Sequence, residues 1–366
     1  MNPLRILYDG WPLCREPNSP AALHLLAILA YLPESVEPIL VFPETPPAWM
    51  PDLRQAHIEP TPATARLNWE QHILPQLRQT LNTHLLHLMT ETASLLNGAH
   101  TVISPTQAES LEQTQPHETA RSGLISRLRA ALAAGGTSRA RALFWPADLP
   151  PRPGRKIIPL SPTLHPDFTP EAWVGPLQIP GVEVPETYVL CHIPQDTTSL
   201  RRALEAWTWA AGPVGQNIPL VMLGLGKAAR VEAEAFARAL DVWDTITLLP
   251  AIPPEWVAPL YRRAEVIFHP AGVSAWGGAI RHALACGKPV VAAETAWASA
   301  LVGPAAILVD PEDTRRLGAS VIGVLVKEEL SARLREAATA RSAGWTDVNW
   351  GDRLGKAYAQ VLEYSP

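Results

Sequence analysis

Residues 264–294 read AEVIFHPAGVSAWGGAIRHALACGKPVVAAE. An apolar run ends at His269 and Pro270, small residues and the adjacent Gly277 and Gly278 lead into an apolar helical stretch, and Cys286 to Pro289 turn that stretch into a second apolar run. Two short buried strands joined by a helix make a parallel pair, because a right-handed crossover packs the helix back on the sheet. This unit predicts an α/β fold.

Working outward, the same alternation repeats. TYVLCHI (187–193), PLVMLGLG (219–226), TITLLP (245–250) and AAILVD (305–310) are further strand candidates bounded by Gly, Pro or Asp. Between them, TSLRRALEAWTWA places Leu200, Leu204 and Trp207 on one helical face, and VEAEAFARAL is similarly two-sided. The first half repeats the pattern more loosely, with LRILYDG, VEPILVFPE, HLLHLM and HTVIS as strands and AALHLLAILAYL and WEQHILPQLRQTL as helices. Two doubly wound units are predicted. The proline-rich stretch 152–186 carries no helical period and places the junction near residue 170. We therefore expect an N-terminal Rossmann-like domain over 1–170, a C-terminal one over 171–345, and a last helix over 346–366 that packs back on the first domain.

Composition agrees with two cores and narrows the function. The chain has 366 residues, 47% of them apolar, and a formal net charge of −5. Bulk positive charge, which supplies most nucleic-acid affinity, is lacking. Cys14, Cys191 and Cys286 are far apart and show no metal-ligand spacing, so they read as reduced thiols in a cytoplasmic protein. No run of eighteen apolar residues and no signal sequence is present, so neither a membrane span nor secretion is expected. No DxD-like pair or HExxH occurs, and no catalytic metal or cofactor is implied.

Open α/β sheets bind ligands at the carboxyl ends of their strands. Three loops of the second half lie there: 192–199 with His192, 224–230 with Gly224 and Lys227, and 269–279 with the glycine pair. Free N–H groups at Gly277 and Gly278 suit an anion or a sugar hydroxyl, and the pair equally reads as a means for the helix to pack tightly on the sheet. On the first of these readings Gly278→Leu blocks ligand binding and leaves the fold intact. GLGK has neither P-loop nor GxGxxG spacing, and a dinucleotide oxidoreductase is a poor reading because no GxGxxG follows the first strand and no acidic residue stands about twenty residues on in a suitable βαβ unit.

The stretch 264–294, followed by ALVGPAAILVDPEDTRRL, resembles the nucleotide-sugar domain of family 4 (group 1) glycosyltransferases, retaining enzymes of the GT-B fold. YVLCHIPQDTTSLRRALEAW, IPLVMLGLG, WEQHILPQL and RILYDGWPL extend the resemblance in order along the chain. It implies two Rossmann-like domains facing a cleft and a nucleoside-diphosphate sugar as substrate. It further implies a donor site framed by Ser274, Trp276, Gly277, Gly278 and His282, with Lys227 toward the diphosphate. The family's two glutamates correspond to Ser274 and His282, and its Arg and Lys to Thr197 and Thr198. Lys227 and Arg201 or Arg202 are the replacement cations if they reach the cleft; all three also read as residues of a solvated helix face. On the acceptor side the resemblance points to Asp9, Gly10, Trp11, His87 and His165, the last beside Asp167. For His87 the residues alone also read as a core histidine. In place of a glycine-rich turn after the first strand stands CREPNSPAAL, where Pro17 and Pro20 disfavour close backbone approach to a ligand.

The chemistry expected is retaining sugar transfer to an unknown acceptor, in an altered or weakened form. The alternative is a GT-B pseudoenzyme that binds a nucleotide, a glycan or a partner protein. One more feature bears on the acceptor. Between 121 and 156 stand Arg121, Arg127, Arg129, Arg139, Arg141, Arg152, Arg155 and Lys156 against the single acid Asp148, and Leu124, Leu128 and Leu132 share a helical face. Such a segment suits peripheral contact with an anionic membrane and a lipid-linked glycan acceptor.

Overall fold

The computed structural model describes residues 3–363 except 51–64, 92, 96–97, 110, 112–130, 132–133, 153, 155, 172–176 and 194–195. The first sheet contains β1 (Leu4–Asp9), β2 (Val36–Val41), β3 (Leu85–Leu88), β4 (Thr101–Ile103), β5 (Ala142–Pro146) and β6 (Ile157–Leu160), in the order β2-β1-β3-β4-β5-β6. The second contains β7 (Val189–His192), β8 (Leu220–Leu223), β9 (Ile246–Leu248), β10 (Val266–His269), β11 (Val290–Ala293) and β12 (Ala306–Val309), in the order β12-β11-β10-β7-β8-β9. Every pairing is parallel. In both sheets the winding reverses at the first strand, so the carboxyl ends of β1 and β7, at Asp9 and His192, are the switch points where such sheets bind ligands.

Each strand read from sequence is present, and two more complete the first sheet. β5 is buried along its length, and β6 lies inside the proline-rich stretch. Pro159 is tolerated because β6 is an edge strand with β5 as its sole neighbour, and Pro38 sits on the opposite edge in β2. The helix Pro20–Ala30 packs under the first sheet, started by Ser19, whose hydroxyl accepts from the Ala22 N–H at 3.2 Å.

Two apolar clusters are confined to the outer faces of the sheets. The third runs without a break from Ile6, Tyr8 and Leu25 through Phe144, Trp276 and Ile280 to Leu190 and Val290, so the two domains share one core. The last helix, Trp350–Glu363, lies on the first sheet's side of the molecule. Its Tyr358 hydroxyl meets the Tyr8 hydroxyl at 2.8 Å and His87 Nδ1 at 2.6 Å, and Arg141 donates to the carbonyls of Val361 and Leu362.

Four basic residues of this stretch that are described make contacts within the protein. Arg141 is committed to the last helix, Lys156 donates to the Ala140 carbonyl, Arg139 to the Leu95 carbonyl, and Arg152 lies 5.6 Å from the Trp145 ring. Arg121, Arg127, Arg129, Arg155, Leu124, Leu128 and Leu132 lie outside the described residues. Among the described residues no helix is long and apolar enough to cross a membrane.

Candidate functional site

The carboxyl end of β10 leads into the seam between the domains. Residues 272–275 run antiparallel to residues 107–109 of the first domain: Glu109 N–H donates to the Val273 carbonyl at 2.9 Å, Ala275 N–H to the Gln107 carbonyl at 3.1 Å, and Ala108 bridges Ser274. Trp276 follows, 1% exposed, its Nε1 donating to the Phe144 carbonyl at 3.0 Å and its ring stacked 4.7 Å from that of His24. Gly277 and Gly278 then turn the chain at φ +64° and +87°. The helix they open, Ala279–Ala285, has only seven residues, so its dipole adds little, and the cradle consists of the turn itself.

Opposite the turn stands the loop after β1. A side chain on Gly277 would place its Cβ 2.6 Å from the Pro20 carbonyl oxygen. The prolines of this loop therefore coexist with a close backbone approach, made to the chain's own second domain. Asn18 is 3% exposed, and its amide pairs with the Ile252 backbone in both directions: Nδ2 donates to the carbonyl at 2.8 Å and Oδ1 accepts from the N–H at 2.9 Å. The Asn18 carbonyl lies 2.8 Å from His192 Nε2, which fixes the tautomer: Nε2 carries the proton, and Nδ1 accepts from the Tyr261 hydroxyl at 2.8 Å. Burial lowers the His192 pKa to about 4, outweighing the hydrogen bond to Asn18.

His282 is 1% exposed, stacked 4.1 Å from Phe168 with Tyr261 at its edge, and its Nδ1 has no hydrogen-bond partner. Burial holds it neutral, with nearby Arg281 and histidines adding to the effect. Arg281 is 0% exposed, and its two terminal nitrogens bind both oxygens of Asp148 in the first domain, at 2.7 and 2.8 Å. The guanidinium carbon also lies 5.4 Å from the Trp345 ring.

The structure thus brings Ser274, Trp276, Gly277, Gly278, His282 and His192 to one seam. Gly224 flanks it at φ +94°, its would-be Cβ 2.8 Å from the Ile193 carbonyl oxygen. Of the cationic candidates, Lys227 is exposed at the start of its helix, Arg201 pairs with Glu232 and Arg202 with Glu312. Thr197 and Thr198 are exposed, and Thr197 bonds Glu232. Gly278→Leu strains the fold as well as the site, since a Cβ there would meet Ser274 Cβ at 3.0 Å in a backbone region that disfavours side chains. We expect this variant to lose about 2–4 kcal/mol, from left-handed strain plus overpacking, as a lowered urea midpoint. A midpoint equal to wild type overturns the assignment of the turn.

On the acceptor side, Asp9 is buried at the end of β1, its Oδ1 accepting from Trp11 N–H and Trp69 Nε1 and its Oδ2 unpartnered, and burial raises its pKa. Gly10 packs against Phe42, and Trp11 lies between Trp69, Arg15 and Arg66. His87 is a core residue, fully buried between Tyr358 and Ser104, its pKa lowered to about 3 by burial. His165 stands in the junction, paired with Asp167 at 3.4 Å. Sequence reasoning missed Asn18, His24, Asp148 and Arg281. A signal existed for Arg281: it is the sole charged residue of the apolar helix AIRHALA, and a charge in that setting requires a buried partner. Among the described residues no cluster of three or more His, Cys, Asp or Glu can hold a metal.

Comparison with known proteins follows the same lines. Residues 199–341 match the family of glycosyl transferases group 1. A D-inositol 3-phosphate glycosyltransferase of Segniliparus rotundus is 28% identical over 151 residues, 40% of this chain and 34% of the relative. One of Geodermatophilus obscurus is 34% identical over 143 residues, 38% of this chain and 31% of the relative. The matched part of the chain thus spans about a third of the length of these curated relatives. Similar solved structures span nearly everything: sucrose-phosphate synthase of Thermosynechococcus elongatus has a TM-score of 0.68 at 15% identity, covering 99% of this chain and 100% of that one. WaaG, a glycosyltransferase involved in lipopolysaccharide biosynthesis, has a TM-score of 0.69 at 14% identity over 96% and 98%. HepE of Anabaena, solved with UDP and glucose, has 0.66 at 15% over 97% and 99%. With two parallel six-stranded sheets arranged as in these solved structures, the chain has the GT-B fold, and its residues 199–341 are similar to the group 1 glycosyl transferases.

Proposed function

We propose that the chain is a nucleotide-sugar-dependent glycosyltransferase that transfers a sugar with retention, and that the structure is its closed form. The observation that carries this reading is the Gly277–Gly278 turn, held at positive φ at the carboxyl end of β10 and aimed at the switch-point loop of the other domain. Such a turn presents backbone N–H groups without side-chain obstruction, which is what a sugar or phosphate oxygen requires. The Ser274 hydroxyl and the His282 imidazole supply neutral hydrogen bonds beside it. Retaining transfer without a protein nucleophile depends on positioning and on electrostatic stabilisation of a cationic sugar, with the leaving phosphate taking the acceptor proton. Neutral groups at the diphosphate positions leave that stabilisation weaker, so slow turnover is expected. A relative named D-inositol 3-phosphate glycosyltransferase and a structural neighbour solved with UDP and glucose make a UDP-sugar the first donor to try, and a polyol or glycan the first acceptor.

A second reading, a non-catalytic GT-B scaffold, is favoured by one observation: the cleft is filled by the chain itself, with Trp276, His282 and Arg281 all buried against first-domain or junction residues. A thermal-shift screen against UDP, GDP, ADP and their sugar conjugates separates the readings. A ligand at about a hundred times its Kd adds about 2.7 kcal/mol and raises the melting temperature by a few degrees. One selective nucleotide with release of its sugar supports the transferase; a flat response to all of them at millimolar concentration leaves the scaffold.

A further inference from the structure

The loop after β1 does more than touch the second domain. Asn18 matches the Ile252 backbone as a neighbouring strand would, its carbonyl holds His192 at the β7 switch point, and the Pro20 carbonyl sits over Gly277. Three features of the donor-side loops, from three different strands, are thus engaged by five consecutive residues. Pro17 and Pro20 stiffen this segment and reduce the entropy lost when it docks. Asp148 and Arg281 close the seam from the far side.

We infer that Glu16–Pro20 is a built-in strap over the cleft, clasped by Asn18, and that a ligand enters when the strap lifts locally with both sheets intact. The inference rests on the donor-site reading only for what the strap covers; its lifting is a property of the fold alone. Nucleotide binding is then reduced by the fraction of molecules in which the strap is open, and weakening the clasp tightens binding.

Hydrogen exchange of the full chain, read by mass spectrometry, tests this directly. Asn18→Ala removes two side-chain hydrogen bonds, and peptides covering 248–256 and 272–278 are expected to exchange about tenfold faster. Peptides of β7 and β8, covering 188–192 and 220–224, keep wild-type rates. Asp148→Asn, which weakens the opposite closure, gives the same pattern and decides the matter if Asn18→Ala does not fold. Equal acceleration of β7 and β8, or no acceleration anywhere, overturns the strap, because the seam then opens only with the whole molecule. A second arm measures UDP and GDP binding. Where either binds, Asn18→Ala binds at least about fivefold tighter, and equal or weaker binding overturns the gating. If neither binds to wild type or variant, the donor reading falls and the exchange pattern alone judges the strap.

Discussion

Acidification is expected to unfold the protein cooperatively near pH 5, far above the carboxylate range. His24, His87, His192, His269 and His282 are all buried, and burial lowers the pKa of each, to about 3 for His87 and about 4 for His192. The unfolded chain therefore binds more protons than the native one from about pH 6.5 downward, and stability falls with pH in that window. Each strongly shifted histidine contributes about 1.4 kcal/mol per pH unit once the unfolded form is protonated, and His24, His87, His192 and His282 together about 5–6 kcal/mol per unit, with His269 adding in the same direction. A domain-scale stability of about 5–15 kcal/mol is exhausted within one to two units. Asp9 and Glu91, whose pKa values are raised chiefly by burial, act in the opposite direction and soften the lower end of the transition. Tryptophan fluorescence and far-UV circular dichroism followed from pH 8 to 4 measure this. A native signal persisting to pH 4 contradicts the neutral, buried state of these rings. His282→Leu removes one site and an unpartnered nitrogen, and moves the midpoint downward.

The alternation that announced two parallel sheets was legible because parallel strands, buried on both faces, read as continuous apolar runs. β10 and β11, VIFH and VVAA, are examples. β6 was not legible: IIPL lies in a proline-rich stretch, and only its edge position, which leaves the Pro159 nitrogen without a ladder partner to satisfy, makes it a strand. At the site, the glycine turn was visible through residue type, since two adjacent glycines before a helix imply unusual φ. Its burial was not visible. Trp276 and His282 look like ligand contacts when read along one loop, and become seam residues only when Phe144, His24 and Phe168, more than a hundred residues upstream, close over them. Asn18 was hidden for the same reason: a loop asparagine ordinarily makes a local turn, and its pairing with Ile252 spans 234 positions.

The other large effect expected is at Asp148, 133 positions before its partner. Arg281 is wholly buried, so Asp148→Ala leaves a guanidinium with no counter-charge in an apolar seam; its remaining contacts are a long bond to the Ala275 carbonyl and the Trp345 ring. Removing one member of a buried pair costs about 3–5 kcal/mol, whereas replacing both by apolar residues of similar volume is close to neutral. Urea unfolding of Asp148→Ala is therefore expected to show that loss, and the double variant Asp148→Leu with Arg281→Met to recover most of it. A single variant within about 1 kcal/mol of wild type means the pair is solvated and the seam loose. The comparison also bears on function. His282 is buried and neutral, and the positive charge one residue before it pairs with Asp148 of the first domain. If the double variant is as stable as wild type yet exchanges faster along 272–278, the pair contributes closure more than stability, as an enzyme that must open requires. If seam exchange is unchanged while stability recovers, the two domains are one rigid body, and the scaffold reading becomes the better account of the fold.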